Sequence, residues 1–158
     1  VIEALIKAGS DIMAKSKEGY NVLHLAAIQD NLFTIEHLMK TYPQLKNHVT
    51  NNGWTVLHCC SQGGGVKSME LLLKEGLDSK ARTKTGYNAL HSAARNKNLS
   101  IVNYLIEKYP QLVQESNDQG FTAVHEAAQG GDVNVIEALI KAGSDIMAKS
   151  KEGYNVLH

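Results

Sequence analysis

GYNVLHLAA at 19–27, GWTVLHCCS at 53–61, GYNALHSAA at 86–94 and GFTAVHEAA at 120–128 are one phrase written four times, and a fifth copy, GYNVLH, begins at Gly153. The glycines that open them, Gly19, Gly53, Gly86, Gly120 and Gly153, follow one another at intervals of 34, 33, 34 and 33. A fixed period of that length marks a solenoid, because a unit so small cannot bury its apolar face alone. Two longer periods enclose it. LMKTYPQL at 38–45 returns as LIEKYPQL at 105–112, carrying the only prolines, Pro43 and Pro110, displaced by 67. Residues 1–24 and 135–158 are the same text, VIEALIKAGSDIMAKSKEGYNVLH, displaced by 134. The three periods read as nested duplication, the outermost being the youngest because its copies have not diverged.

The phrase resembles the G-x-T-P-L-H-x-A-A core of the ankyrin repeat, and the resemblance covers essentially the whole chain. It implies an all-α solenoid of stacked helix-turn-helix units with hairpin-like loops. The units fall at 17–50, 51–83, 84–117 and 118–150, with the end of another repeat at 1–16 and the start of the next at 151–158. Val1 opens within the second helix of a repeat and His158 stops inside a first helix, so the chain reads as an excerpt of a longer array. The family's threonine stands at Thr55 and Thr122 and becomes Asn at Asn21, Asn88 and Asn155. Both types cap helices, so the start signal survives. The family's proline is Val22, Val56, Ala89, Ala123 and Val156, which leaves the first turn less preorganised.

Helical spacing puts Val22, Leu23, Ala26 and Ala27 on one apolar face and Ile35, Leu38 and Met39 on the facing stripe, with Leu90, Ala93, Ala94, Val102, Leu105 and Ile106 repeating the pattern. The alanines let neighbouring repeats approach closely. The Gly63–Gly65 run is not followed by Gly-Lys-Ser/Thr, so it is no phosphate loop. It falls in the turn between helices, where glycine is expected to ease a left-handed backbone. The same turn position holds Asp30 and Lys97, which are less favourable there.

Sixteen Lys and Arg balance sixteen Asp and Glu. By repeat the net charge is 0, +1, +2 and −3, with no concentrated basic face for phosphate, so neither nucleic acid nor an anionic membrane surface is expected as a partner. No apolar run approaches the length of a membrane span, so direct insertion is not expected. Cys59 and Cys60 are adjacent without a third thiol, so no disulfide framework exists and a cytoplasmic location is expected, with an extracellular one left open. Cys60 replaces an alanine of the helix pair and should be buried and inert. Cys59 takes the variable position and is expected to be the more accessible thiol.

His24, His58, His91, His125 and His158 share one slot, five places after each glycine. In the family this histidine is structural, hydrogen-bonding to nearby backbone. Zinc needs several ligands around one point, whereas equivalent residues of stacked repeats stand a helix diameter apart, so no metal site and no cofactor is expected. Neighbours on a helix face different ways, so His58 with Cys59 and His91 with Ser92 make no nucleophile–base pair, and no catalytic residue is assigned.

The residue after each glycine is aromatic: Tyr20, Trp54, Tyr87, Phe121 and Tyr154. The family leaves this position variable. Two readings follow, bracing of successive repeats and an exposed strip for a partner, with bracing favoured. The resemblance implies a non-enzymatic surface for protein contacts along loop tips and inner helices, which singles out Glu18, Asn52, Thr85 and Gln119 beside the aromatics. The verbatim outer period points to a structural role, a rod, spring or filament whose partners include copies of itself. A dedicated partner-binding module is the alternative, and the tether of a channel or toxin is a third.

Overall fold

The computed structural model describes residues 14–143. Tyr154 and His158 lie outside the described residues, as do 1–13 of the first partial repeat, 144–150 of the last full one and the partial repeat 151–158. Four helix pairs follow one another: α1 (Val22–Ile28) with α2 (Leu32–Thr41), α3 (Val56–Gly63) with α4 (Val66–Lys74), α5 (Ala89–Arg95) with α6 (Leu99–Lys108), and α7 (Ala123–Gly130) with α8 (Val133–Lys141). Short 3-10 helices, Pro43–Asn47 and Pro110–Gln114, follow α2 and α6, each with its proline at the first turn where a missing N–H costs nothing. No strand occurs among the described residues. This is the all-α repeat solenoid.

None of these helices exceeds ten residues, too short to persist alone in water. They persist by stacking. First helices pack on first helices (α1, α3, α5, α7) and second on second (α2, α4, α6, α8). The buried side chains therefore form a row rather than a nucleus: Leu23, Ala27 and Leu38, then Leu57, Cys60, Met69 and Leu72, then Leu90, Ala94, Ile101 and Leu105, then Val124, Ala127, Val135 and Leu139.

The start of every first helix is built alike. Asn21, Thr55, Asn88 and Thr122 sit in extended backbone, and each capping box is closed by the histidine three places on, in the slot usually given to Glu or Gln.

The turns between paired helices differ from the expectation for the glycine run. Asp30 (φ 54°), Lys97 (φ 61°) and Gly131 (φ 81°) are left-handed, but Gly64 has φ −88° and ψ −179°. The run is there for room. A Cβ at Gly63 would strike the carbonyl oxygen of Ile28, and one at Gly64 would come within 2.6 Å of Cys60 Sγ and 2.9 Å of the Ala27 oxygen. Chain from the preceding repeat passes where side chains would stand.

Candidate functional site

The loops that join repeats carry the exposed positions. In each, a small polar side chain three places before the glycine accepts the aromatic residue's amide: Ser16 from Tyr20 (3.2 Å), Thr50 from Trp54 (3.1 Å), Thr83 from Tyr87 (3.1 Å) and Asn117 from Phe121 (3.0 Å). The glycine turns the chain at φ +80° to +94°. Each tip is then pinned to the next. The Asn51 amide donates to the Glu18 carbonyl (2.8 Å), Lys84 to Asn52 (3.0 Å) and Asp118 to Thr85 (3.0 Å). A Cβ at Gly53 would lie 2.8 Å from the Lys84 nitrogen, so close approach as well as positive φ demands glycine. The side chains of Glu18, Asn52, Thr85 and Gln119 remain exposed along one edge.

The aromatics lie deeper than those tips. Tyr20, Trp54 and Tyr87 are half-buried and Phe121 is buried. Each ring meets the histidine of its own repeat, with centroids 6.0 Å apart for Tyr20–His24, 5.8 Å for Trp54–His58, 5.6 Å for Tyr87–His91 and 5.6 Å for Phe121–His125. Their outer sides adjoin the next repeat: Tyr20 faces Cys59, and the Tyr87 hydroxyl interacts with Glu126.

His24, His58 and His91 are held at both ring nitrogens. Nδ1 accepts the cap residue's amide, from Asn21 to His24 (3.1 Å), Thr55 to His58 (3.2 Å) and Asn88 to His91 (3.0 Å). Nε2 reaches a carbonyl further along the chain: His48 from His24 (3.1 Å), Tyr87 from His58 (2.8 Å) and Phe121 from His91 (2.9 Å). An amide only donates and a carbonyl only accepts, so each of these rings is the neutral tautomer protonated on Nε2. Burial, more than anything else, lowers their proton affinity, to about 4 for His24 and His91. A neutral ring with both nitrogens engaged is not poised for proton transfer. Among the described residues no group of three or more His, Cys, Asp or Glu could hold a metal ion.

The thiols correct one expectation. Cys59 is as buried as Cys60, both 0% exposed, and burial pushes each thiol up to about 12. The variable position faces the preceding repeat rather than solvent, so Cys59 is inert too.

Glu126 occupies that same position and is fully buried. Its Oε1 takes a 3.2 Å ion pair from Arg95, which also donates to Gln129 at 2.7 Å. Oε2 makes no hydrogen bond of ordinary length among the described residues, and desolvation raises the acid's pKa despite Arg95. Sequence reading passed over Glu126, although it is the one charge in a column otherwise held by Leu25, Cys59 and Ser92. It also passed over Thr50, Thr83 and Asn117, legible as a small polar residue recurring three places before each glycine.

Comparison with known proteins agrees with this architecture. The family model described as "Ankyrin repeats (3 copies)" matches residues 1–83 and 64–150. Similar proteins include the nuclear factor NF-kappa-B p105 subunit of Gallus gallus, 28% identical over 67% of this chain and 11% of that protein. The putative ankyrin repeat protein FPV115 of fowlpox virus is 32% identical over 69% of this chain and 20% of its own length. The target of rapamycin complex 2 subunit AVO2 of Saccharomyces cerevisiae is 25% identical over 86% and 33% respectively. The chain thus spans a third or less of each of these relatives. Among the described residues no helix is long and apolar enough to cross a membrane.

Proposed function

The chain belongs to the ankyrin-repeat family, and on that premise we propose that it is a non-enzymatic scaffold segment, a rod built from four-repeat units within a longer array. The observation that carries this reading is the continuity of the stack. Every described loop tip is hydrogen-bonded to the next, every first helix packs on the next, and the text of 1–24 returns unchanged at 135–158. A load applied along such a stack passes through all of its interfaces, with no soft linker between repeats. The two buried free thiols support a cytoplasmic location within the same proposal. Electron microscopy of the native full-length protein tests it: long regular rods or filaments are expected, and short dispersed particles would contradict it.

A second reading, recognition of a protein partner by the loop tips, is supported by the exposed side chains of Glu18, Asn52, Thr85 and Gln119 on a rigid edge. The deeper aromatics, Tyr20, Trp54, Tyr87 and Phe121, contribute less to that surface than to bracing.

A further inference from the structure

We propose that Asn52 is a site of spontaneous modification, in which its carboxamide is converted to aspartate or isoaspartate, gated by the lock between the second and third loop tips. The inference goes beyond the rod reading and does not depend on it. The pair Asn52–Gly53 is the only Asn-Gly in the chain, and it carries the chemistry. The Gly53 nitrogen attacks Cγ of the Asn52 side chain, and glycine has no Cβ to obstruct the approach. A bond forms between that nitrogen and Cγ, the bond from Cγ to Nδ2 breaks, and ammonia leaves with the proton the Gly53 nitrogen gives up. The product is a cyclic imide, which water opens at either carbonyl to give aspartate or isoaspartate. The equivalent positions are Glu18, Thr85 and Gln119. Glutamate and threonine have no amide to expel, and glutamine must close a larger, slower ring.

The structure decides when this reaction can run. Asn52 is exposed. Its neighbour Asn51 is tied through Nδ2 to the Lys17 carbonyl at 2.7 Å and is followed by Asn52 rather than glycine. The backbone at Asn52, by contrast, is held. The Gly53 amide donates to the Thr50 carbonyl at 2.9 Å, and the Asn52 carbonyl accepts the Lys84 amide at 3.0 Å. For attack, the Gly53 nitrogen must turn toward Cγ by rotation about the Asn52 Cα–C bond. That rotation swings the carbonyl away from Lys84 and takes the nitrogen out of its turn. The locked tip is therefore the unreactive one, and reaction waits on opening.

Isoaspartate, unlike aspartate, does not refit. It routes the main chain through the side-chain carbons, which adds a methylene next to Gly53 and turns the lock's acceptor carbonyl into a carboxylate off the main chain. Room is lacking there, since even a Cβ at Gly53 would lie 2.8 Å from the Lys84 nitrogen. Opening of this one tip thus becomes permanent once isoaspartate has formed, and the second repeat stays unlocked from the third.

Peptide mapping by mass spectrometry, with isoaspartate separated from aspartate, tests this on the folded chain and on the chain unfolded in urea at the same mildly alkaline pH. The unfolded chain is expected to react readily at Asn52. The folded chain should be slower by the factor that slows exchange of the Lys84 amide, because one opening gates both. Lys84→Pro removes the lock's donor and should bring the folded rate toward the unfolded one, with circular dichroism checking that the fold is kept. If that variant does not fold, moderate urea on the parent must raise both rates together. Chain isolated with isoaspartate at this position should lose protection of the Lys84 amide. A folded chain that reacts at the unfolded rate, a folded Lys84→Pro variant no faster than the parent, or an isoaspartate chain that keeps Lys84 protected overturns the proposal.

Discussion

Asp30 caps a helix in the next repeat: its Oδ1 accepts the Gly65 amide at 2.9 Å and the Ser68 hydroxyl at 2.8 Å, at the start of α4, where Gly65 has no side chain to do so. The equivalent helices cap themselves, α2 with Asn31, α6 with Asn98 and α8 with Asp132. Asp30 makes this reach from a left-handed backbone, φ 54°. Asp30→Ala keeps the strained φ and loses both bonds, so it should destabilise the chain by about 0.5–2 kcal/mol, read as a lower urea midpoint.

Lys97 holds the matching left-handed position at φ 61°, exposed and without such a task. Removing its Cβ relieves the clash of left-handed backbone, partly offset by the greater freedom of glycine in the unfolded chain. Lys97→Gly should raise the melting temperature, by a gain of up to about 1 kcal/mol. The same change at Asp30 should gain little or lose, because the cap goes with it.

Acid should loosen the stack through its histidines. For His24 and His91 the folded value of about 4 lies below the ordinary value of 6.5, so the unfolded chain binds more protons between them. Stability is thus held above pH 6.5 and lost as pH falls through about 4. Protonated Nδ1 would also set N–H against the cap amide. At neutral pH, His91→Ala leaves the Asn88 amide and the Phe121 carbonyl without that partner, which should cost about 1–3 kcal/mol. Urea titrations of parent and variant across this range should show a shallower acid dependence for the variant.

Glu126 has the opposite sign. Its pKa is raised in the folded chain, so stability falls as pH rises from the ordinary glutamate range through that raised value. Glu126→Gln can still accept from Arg95 and leaves no buried charge to desolvate. The variant should match or exceed the parent in stability at neutral pH and lose this part of the pH dependence. A marked loss of stability at neutral pH would show that the charge, rather than the shape, holds the Arg95 contact.

The solenoid was legible in the sequence because its signals repeat: a glycine at nearly constant intervals, a capping Asn or Thr two positions later, and apolar residues at helical spacing. Each signal lies within one repeat. What stayed hidden crosses between repeats. Asp30 reads as an awkward turn residue until Gly65 is seen beside it. Cys59 reads as solvent-facing because one helix considered alone does not reveal that the preceding repeat covers it. The glycines at 63–65 answer to backbone from the preceding repeat rather than to their own dihedral angles. Tyr87 and His91 share one repeat, a spacing the sequence shows, but the contact of Tyr87 with Glu126 reaches into the next.

The central claim, that successive repeats are locked together at the loop tips, is tested most directly by amide hydrogen exchange at Asn51, Lys84 and Asp118. All three lie on exposed loops, yet their amides donate to Glu18, Asn52 and Thr85 of the preceding repeat. Locked repeats should protect these amides far beyond the rate of an unstructured chain, and together rather than one by one. Exchange at the unstructured rate at all three would contradict a continuous stack.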